Sequence, residues 1–243
     1  MEQMKNAVNG LMKLLSPEAT VFKKFAEDYD LVYFGLMHHE DEEQHMVRGV
    51  TVSTQHFDEH SSVGTVNGYD VVLLKRTDAV MQANSSRSEK YSWIIMQFDL
   101  HTNYDFPHVF IDGGHHNEIF YQTLFVKFAR LMKVDKAIFG DENHAFTGRF
   151  TVYTPPDALD EVPTIVDGTV GQTLAEHFAH LDFEWFQDRL IVYSTGRQPT
   201  KHLLEHMLRA GLWLAEILDK SGQQKISAHG SVADIPNVSQ SAN

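Results

Sequence analysis

The sequence predicts an α+β fold in which a mainly antiparallel, twisted sheet is backed by amphipathic helices. Apolar residues at three- and four-residue steps indicate helices near both ends of the chain. β-Branched and aromatic runs in residues 31–114 are typical of strands. The strands come in clusters, without the strict strand–helix alternation that builds a parallel sheet, and this order favours the α+β class.

Residues 1–30 are predicted to form two N-terminal helices. The apolar spacing in residues 2–15 describes a short amphipathic helix. Ser16-Pro17-Glu18 then supplies an N-cap, a proline at the first helical position and an acid in the first turn. We therefore expect the second helix over about residues 17–29.

Five strands are predicted after these helices. Asn67-Gly68 is the strongest two-residue signal for a hairpin turn. Val71–Leu74 and Trp93–Met96 are apolar on both alternating faces, so their strands are expected at the centre of the sheet. The five predicted strands are LVYFGLM (31–37), MVRGVTVSTQHF (46–57), GYDVVLLKR (68–76), YSWIIMQFDL (91–100) and HVFIDGG (108–114).

Helices and strands also follow one another in the second half of the chain. Asn117 is expected to cap a helix over 118–133, and Ser221-Gly222 to stop the last helix. The other predicted elements are a strand at 149–155, a helix at 170–181, a hairpin at 183–195 turning near Gln187-Asp188, and the last helix at 200–219.

The α+β domain is expected to span residues 31–222. Strands and an amphipathic helix occur on each side of residues 140–149, so the sequence leaves open a division into two lobes that meet there. Residues 223–243 mix small and polar side chains with little to bury. They are predicted to be a disordered tail.

Composition limits the classes of function. The 243 residues include 33 acidic and 20 basic side chains, for a formal net charge of −13, with no dense Lys/Arg cluster. We therefore expect no nucleic-acid partner. The absence of cysteine excludes disulfides, thiolate nucleophiles and Cys-type zinc sites. Because the sequence has neither a membrane-length apolar run nor a signal-peptide pattern, we expect a soluble, cytoplasmic protein.

Histidine is abundant, and one group of residues has the spacing of a metal site. His56, Asp58 and His60 are two apart, so on a strand their side chains are expected on the same side. Two imidazoles and a carboxylate suit zinc or non-haem iron(II). The HHEDEEQH stretch at 38–45 offers further ligands. The opposing interpretation is a solvated polar loop and strand face that binds no cofactor.

The order of several motifs resembles an uncharacterised bacterial domain family, and the similarity covers about residues 20–220. Members of that family often follow N-terminal transmembrane helices and have no established activity or catalytic residues. The resemblance therefore implies a structural domain, and the His-rich 38–60 region falls where the family varies. The matching positions are Phe25-Ala26, Gly64 and Gly68 with Val71–Leu74, Pro107 with Phe110, Phe146 with Arg149-Phe150 and Val152, and Leu190–Tyr193.

Three functions remain open from the sequence. The first is a non-enzymatic binding or scaffold domain for a protein or small-molecule partner, because no G-x-S-x-G elbow or H-E-x-x-H helix occurs. The second is a metal-dependent hydrolase or oxygenase that uses the 38–60 region. The third is a pH-responsive interaction module, because fifteen histidines lie among many acids. The sequence does not specify the oligomeric state.

Overall fold

The computed structural model describes residues 16–36, 47, 49–50, 56–81, 88–114 and 130–233. The described residues contain five α-helices and nine β-strands. The helices are α1 (Pro17–Asp28), α2 (His144–Arg149), α3 (Val162–Ile165), α4 (Gly168–His177) and α5 (Lys201–Ala233). The strands are β1 (Val32–Leu36), β2 (His56–Val66), β3 (Tyr69–Met81), β4 (Ser88–Asp99), β5 (Phe106–Asp112), β6 (Met132–Lys133), β7 (Thr151–Thr154), β8 (Asp182–Gln187) and β9 (Arg189–Thr195).

These strands form one antiparallel sheet in the order β1-β2-β3-β4-β9-β8-β5-β7-β6. The predicted α+β class is therefore confirmed. β5 pairs with β8 on one side and with β7 on the other. Strands from before and after residues 140–149 thus belong to the same sheet.

The larger apolar core lies between one face of the sheet and the helices. Phe22 and Phe25 of α1 are fully buried in it, as are Leu204 and Leu214 of α5. Gly211 allows α5 to approach β4 closely, because a Cβ at that position would lie 2.0 Å from the Phe98 ring. We call this side of the sheet the helix face.

The opposite side of the sheet, which we call the polar face, carries a second apolar cluster together with buried polar groups. Leu74, Ile95 and Tyr193 of three central strands pack there with Val47 and Val50, which belong to the connection between β1 and β2. Both faces of the central strands are therefore buried, as the continuous apolar runs in β3 and β4 predict.

Local signals in the sequence account for the turns and caps. The Ser16 hydroxyl accepts a hydrogen bond of 3.1 Å from the Ala19 N–H, so the predicted cap of α1 is confirmed. Asn67 and Gly68 both have positive φ, at 50° and 89°, as a type I′ hairpin turn requires. The predicted hairpin near residue 187 also forms, and Gln187 adopts a φ of 56°.

The prediction of a strand over 46–57 is wrong for its described residues before His56. Val47, Gly49 and Val50 lie outside any strand, and β2 begins only at His56. The physical reason is that buried side chains bond to the backbone of this segment. Arg76 donates to the Val47 carbonyl, and the Val50 N–H donates to a buried carboxylate on β8.

The ends of two predicted helices also differ from the structure. Met132–Lys133 is not helical but pairs with β7 as β6, so the predicted helix at 118–133 does not reach residue 133. Residues 115–129 and the predicted helix at 2–15 lie outside the described residues.

The last helix continues past its predicted end. α5 runs through Gly222 to Ala233, so residues 223–233 are helical rather than a disordered tail. Gly222 is buried against Thr102, and Lys225 forms an ion pair with Glu161, which explains why the helix continues. Despite its 33 residues, α5 has no stretch apolar enough to cross a membrane, and neither do the other described helices.

Candidate functional site

The three residues predicted to bind a metal do not converge. Asp58 is buried on the polar face, where its two carboxylate oxygens accept hydrogen bonds of 2.8 and 2.7 Å from the Arg76 guanidinium. His56 is the first residue of β2, lies opposite Asp78 and shares the polar face with Asp58. His60 lies on the other side of the sheet.

A β-bulge moves His60 to the helix face. The pairing of β2 with β3 shifts register between Glu59 and Ser62, and His60 adopts a φ of 58°. Its ring stacks on Phe22 of α1 at 4.9 Å, and its Nδ1 lies 2.8 Å from the Tyr33 hydroxyl. The expectation that His56, Asp58 and His60 share a face is therefore wrong for His60, because the bulge inserts an extra residue into the alternation.

Metal binding by this region has no geometric support in the described chain. Within the ranges that the structure describes, no group of three or more His, Asp or Glu side chains is arranged to hold a metal ion. The HHEDEEQH stretch at 38–45 lies outside those ranges. What the structure shows instead is a buried Arg76–Asp58 ion pair, with both side chains fully enclosed.

A buried carboxylate on β8 organises the centre of the polar face. Glu184 is fully buried, and both of its oxygens accept hydrogen bonds from the Val50 N–H, at 3.1 and 2.9 Å. His108 Nε2 lies 2.6 Å from Glu184 Oε1, and the Tyr193 hydroxyl donates to Oε2. A Cβ on Gly49 would lie 2.0 Å from that hydroxyl, so only glycine fits there.

This arrangement explains how Gly49 and Val50 are held against the sheet. A carboxylate that accepts several hydrogen bonds in a buried site is satisfied, and removing its partners is costly. His108 and Glu184 resemble an acid–base dyad in composition, but the carboxylate is already bonded to the backbone of Val50. We therefore interpret the Glu184 network as a structural anchor.

A second pair of acids lies where β5 ends and β8 begins. Asp112 and Asp182 are both buried, and the Gly114 N–H donates to Oδ1 of each, at 2.9 and 2.8 Å. The Gly113 N–H also donates to Asp182, at 2.9 Å. Burial, together with the nearby charge of Asp112, raises the pKa of the Asp182 carboxyl to about 7. Because this pKa lies above the usual value, we expect the stability of the fold to depend on pH through Asp182.

No family model and no curated protein sequence matches the chain. A solved structure does match: the crystal structure of the mycobacterial trehalose monomycolate transport factor A, TtfA. The two chains share a fold. The TM-score is 0.55 at 13% sequence identity, and the match covers 84% of this chain and 93% of TtfA. At that identity the likeness concerns the fold alone.

A cluster of basic and aromatic side chains lies on the surface where α4 ends and α5 begins. The ring of Phe178 is 5.2 Å from that of His206 and 5.6 Å from that of Trp213. His202 stacks on His206 at 6.2 Å with nearly parallel rings. The members, which we call the imidazole–aromatic patch, are His177, Phe178, Arg197, His202, His206, Arg209 and Trp213.

The patch combines an apolar base with a cationic rim. Phe178 and Trp213 are half-buried and pack against the main core, whereas His202 and Arg209 are exposed. Partial burial lowers the pKa of His206, and the positive charges of Arg209, His202, Arg197 and His177 lower it further.

The sequence contains a signal for part of this patch. His202, His206, Arg209 and Trp213 are spaced four, three and four residues apart, which places them in one stripe along α5. The contribution of Phe178 comes from a distant part of the chain. No local pattern predicts that its ring lies between His206 and Trp213.

Proposed function

We propose that this protein is a non-enzymatic binding or scaffold domain that holds a protein partner at the imidazole–aromatic patch. The observation that carries the proposal is the patch itself, in which half-buried aromatic rings are surrounded by basic side chains. Aromatic residues and arginine are the side chains most enriched at the energetic centres of protein interfaces.

The arrangement of the interior supports a binding role rather than a catalytic one. Buried ionisable side chains of the polar face are already bonded within the fold. Glu184 anchors the Val50 backbone, and Asp58 forms an ion pair with Arg76. These contacts stabilise the fold and use the hydrogen-bonding capacity of the carboxylates. TtfA is named as a transport factor, and a binding or scaffold role for this chain is in line with that name.

Site-specific photo-cross-linking tests the proposal. The photoreactive residue p-benzoylphenylalanine is introduced in place of exposed His202, and in a matched control in place of exposed Gln224, farther along α5. We expect a discrete adduct, identified by mass spectrometry, from position 202 but not from position 224. Introducing Arg209→Glu should remove that adduct. The absence of an adduct at 202, or the same adducts at both positions, would contradict the proposal.

A further inference from the structure

We infer that the partner presents an acidic segment with an apolar side chain to the imidazole–aromatic patch, and that protonation of the patch histidines tightens the contact. This inference rests on the proposed function and adds the chemistry of the partner and its regulation.

The charge of the patch is opposite to that of the protein. The whole chain carries a formal charge of −13. Arg197 and Arg209 are nevertheless both exposed on this small surface, beside three imidazoles. Arginine pairs with carboxylates through two parallel hydrogen bonds, which makes it well suited to hold Asp or Glu side chains. A carboxylate-bearing partner is therefore the occupant that the patch complements best.

The aromatic base selects for an apolar side chain within the acidic segment. Phe178 and Trp213 lie side by side with 36° between their ring planes and are only half-buried by the rest of the protein. An apolar side chain placed over these rings would complete their burial. An acidic peptide is favoured over an anionic membrane, because the net charge of −13 makes the protein as a whole repel such a surface.

The charged groups that face His206 make the contact depend on pH. From α5 these are His202 and Arg209, from the segment before α5 Arg197, and from α4 His177. Two acids lie near this end of α5: Glu205, whose carboxylate is 3.7 Å from the Lys201 ammonium, and Asp28 of α1, whose carboxylate is 2.7 Å from the same ammonium.

The charges around His206 determine whether binding strengthens or weakens as pH falls. Without a partner, partial burial and then the neighbouring cations disfavour a proton on His206, so its pKa lies below the usual 6.5. Partner carboxylates would offset that repulsion and raise the pKa in the complex. Binding then takes up protons, and affinity increases as pH falls through the pKa of the bound state.

Trp213 provides a direct optical probe. The other two tryptophans, Trp93 and Trp185, are 3% and 0% exposed, whereas Trp213 is half-buried at the surface. A short peptide of glutamate and phenylalanine is titrated into the full chain, and tryptophan fluorescence is recorded at pH 6 and pH 8. We expect binding that is about tenfold tighter at pH 6, since each proton taken up contributes up to tenfold per pH unit.

Different substitutions test the contact with Arg209 and the protonation of the histidines. Arg209→Glu should weaken peptide binding at least about tenfold at both pH values. The matched control Lys220→Glu makes the same charge change at an exposed position on the same helix and should leave binding unchanged. His202→Ala combined with His206→Ala should retain binding at pH 8 but remove the gain at pH 6.

The peptide titration and the cross-linking experiment together distinguish a wrong partner chemistry from a wrong binding function. If the peptide does not bind but position 202 still cross-links a partner, the acidic chemistry is wrong and the binding function stands. If phosphatidylserine vesicles bind and the peptide does not, the patch contacts a membrane and the inference is overturned. Equal affinity at pH 6 and pH 8 would overturn the role of the histidines.

Discussion

Replacing Asp182 with asparagine should change how the stability of the protein depends on pH. The amide oxygen can accept the N–H groups of Gly113 and Gly114 as the carboxylate does. The amide nitrogen can donate to the Thr195 hydroxyl, which in the wild type donates to the carboxylate at 3.2 Å. The substitution therefore keeps the hydrogen-bonding pattern while removing a buried charge beside Asp112.

The expected magnitude follows from the pKa of Asp182. Its folded value of about 7 lies above the ordinary 3.8, so the folded state holds a proton that the unfolded state releases. The stability from this group is therefore present at low pH and is lost as pH rises from about 4 to 7. Between pH 5 and pH 8 the loss is about 3 kcal/mol, because the slope of roughly 1.4 kcal/mol per pH unit fades once the pH passes 7.

Urea denaturation of both proteins at pH 5 and pH 8 measures this effect. The unfolding free energy of Asp182→Asn minus that of the wild type should rise by about 3 kcal/mol from pH 5 to pH 8. Asp160→Asn, at an exposed position, controls for the amide substitution and should show no such difference. A stability difference for Asp182→Asn that is the same at both pH values would refute the reasoning.

Two further substitutions test the polar face. Gly49→Ala should lower the free energy of unfolding by about 1–3 kcal/mol, because the new Cβ would overlap the Tyr193 hydroxyl. Gly148→Ala is the control, because a Cβ at that position would have no atom within 4 Å. Equal stability of the two variants in urea would contradict the close packing around Gly49. Asp58→Ala removes the two hydrogen bonds that the buried Arg76 guanidinium donates to this carboxylate and should cost about 3–5 kcal/mol by chemical denaturation. A loss below about 1 kcal/mol would contradict a stabilising role for this ion pair.

Much of the fold could be predicted from the sequence because short-range chemistry specifies it. Asn67-Gly68 accepts the positive φ that a tight hairpin requires, and the Ser16 side chain satisfies a backbone N–H at the start of α1. The continuous apolar runs at 71–74 and 93–96 could serve only strands covered on both faces.

The positions of Val47 and Val50 could not be predicted, because distant residues determine them. The β-branched residues of the segment at 46–57 favour a strand, but Arg76 and Glu184 bind its backbone and hold Val47 and Val50 against the sheet. Tertiary contacts of this kind override local strand propensity. The bulge that turns His60 to the helix face accompanies stacking of its ring on Phe22 of α1, and no local signal in the sequence of β2 marks it.

The most direct test of the central claim is an NMR titration that follows the three tryptophan indole N–H signals. The partner identified by cross-linking is added to the uniformly ¹⁵N-labelled protein. We predict that the Trp213 signal shifts while those of buried Trp93 and Trp185 stay in place. Saturable binding that leaves the Trp213 signal unmoved would show that the partner docks elsewhere and would contradict the account.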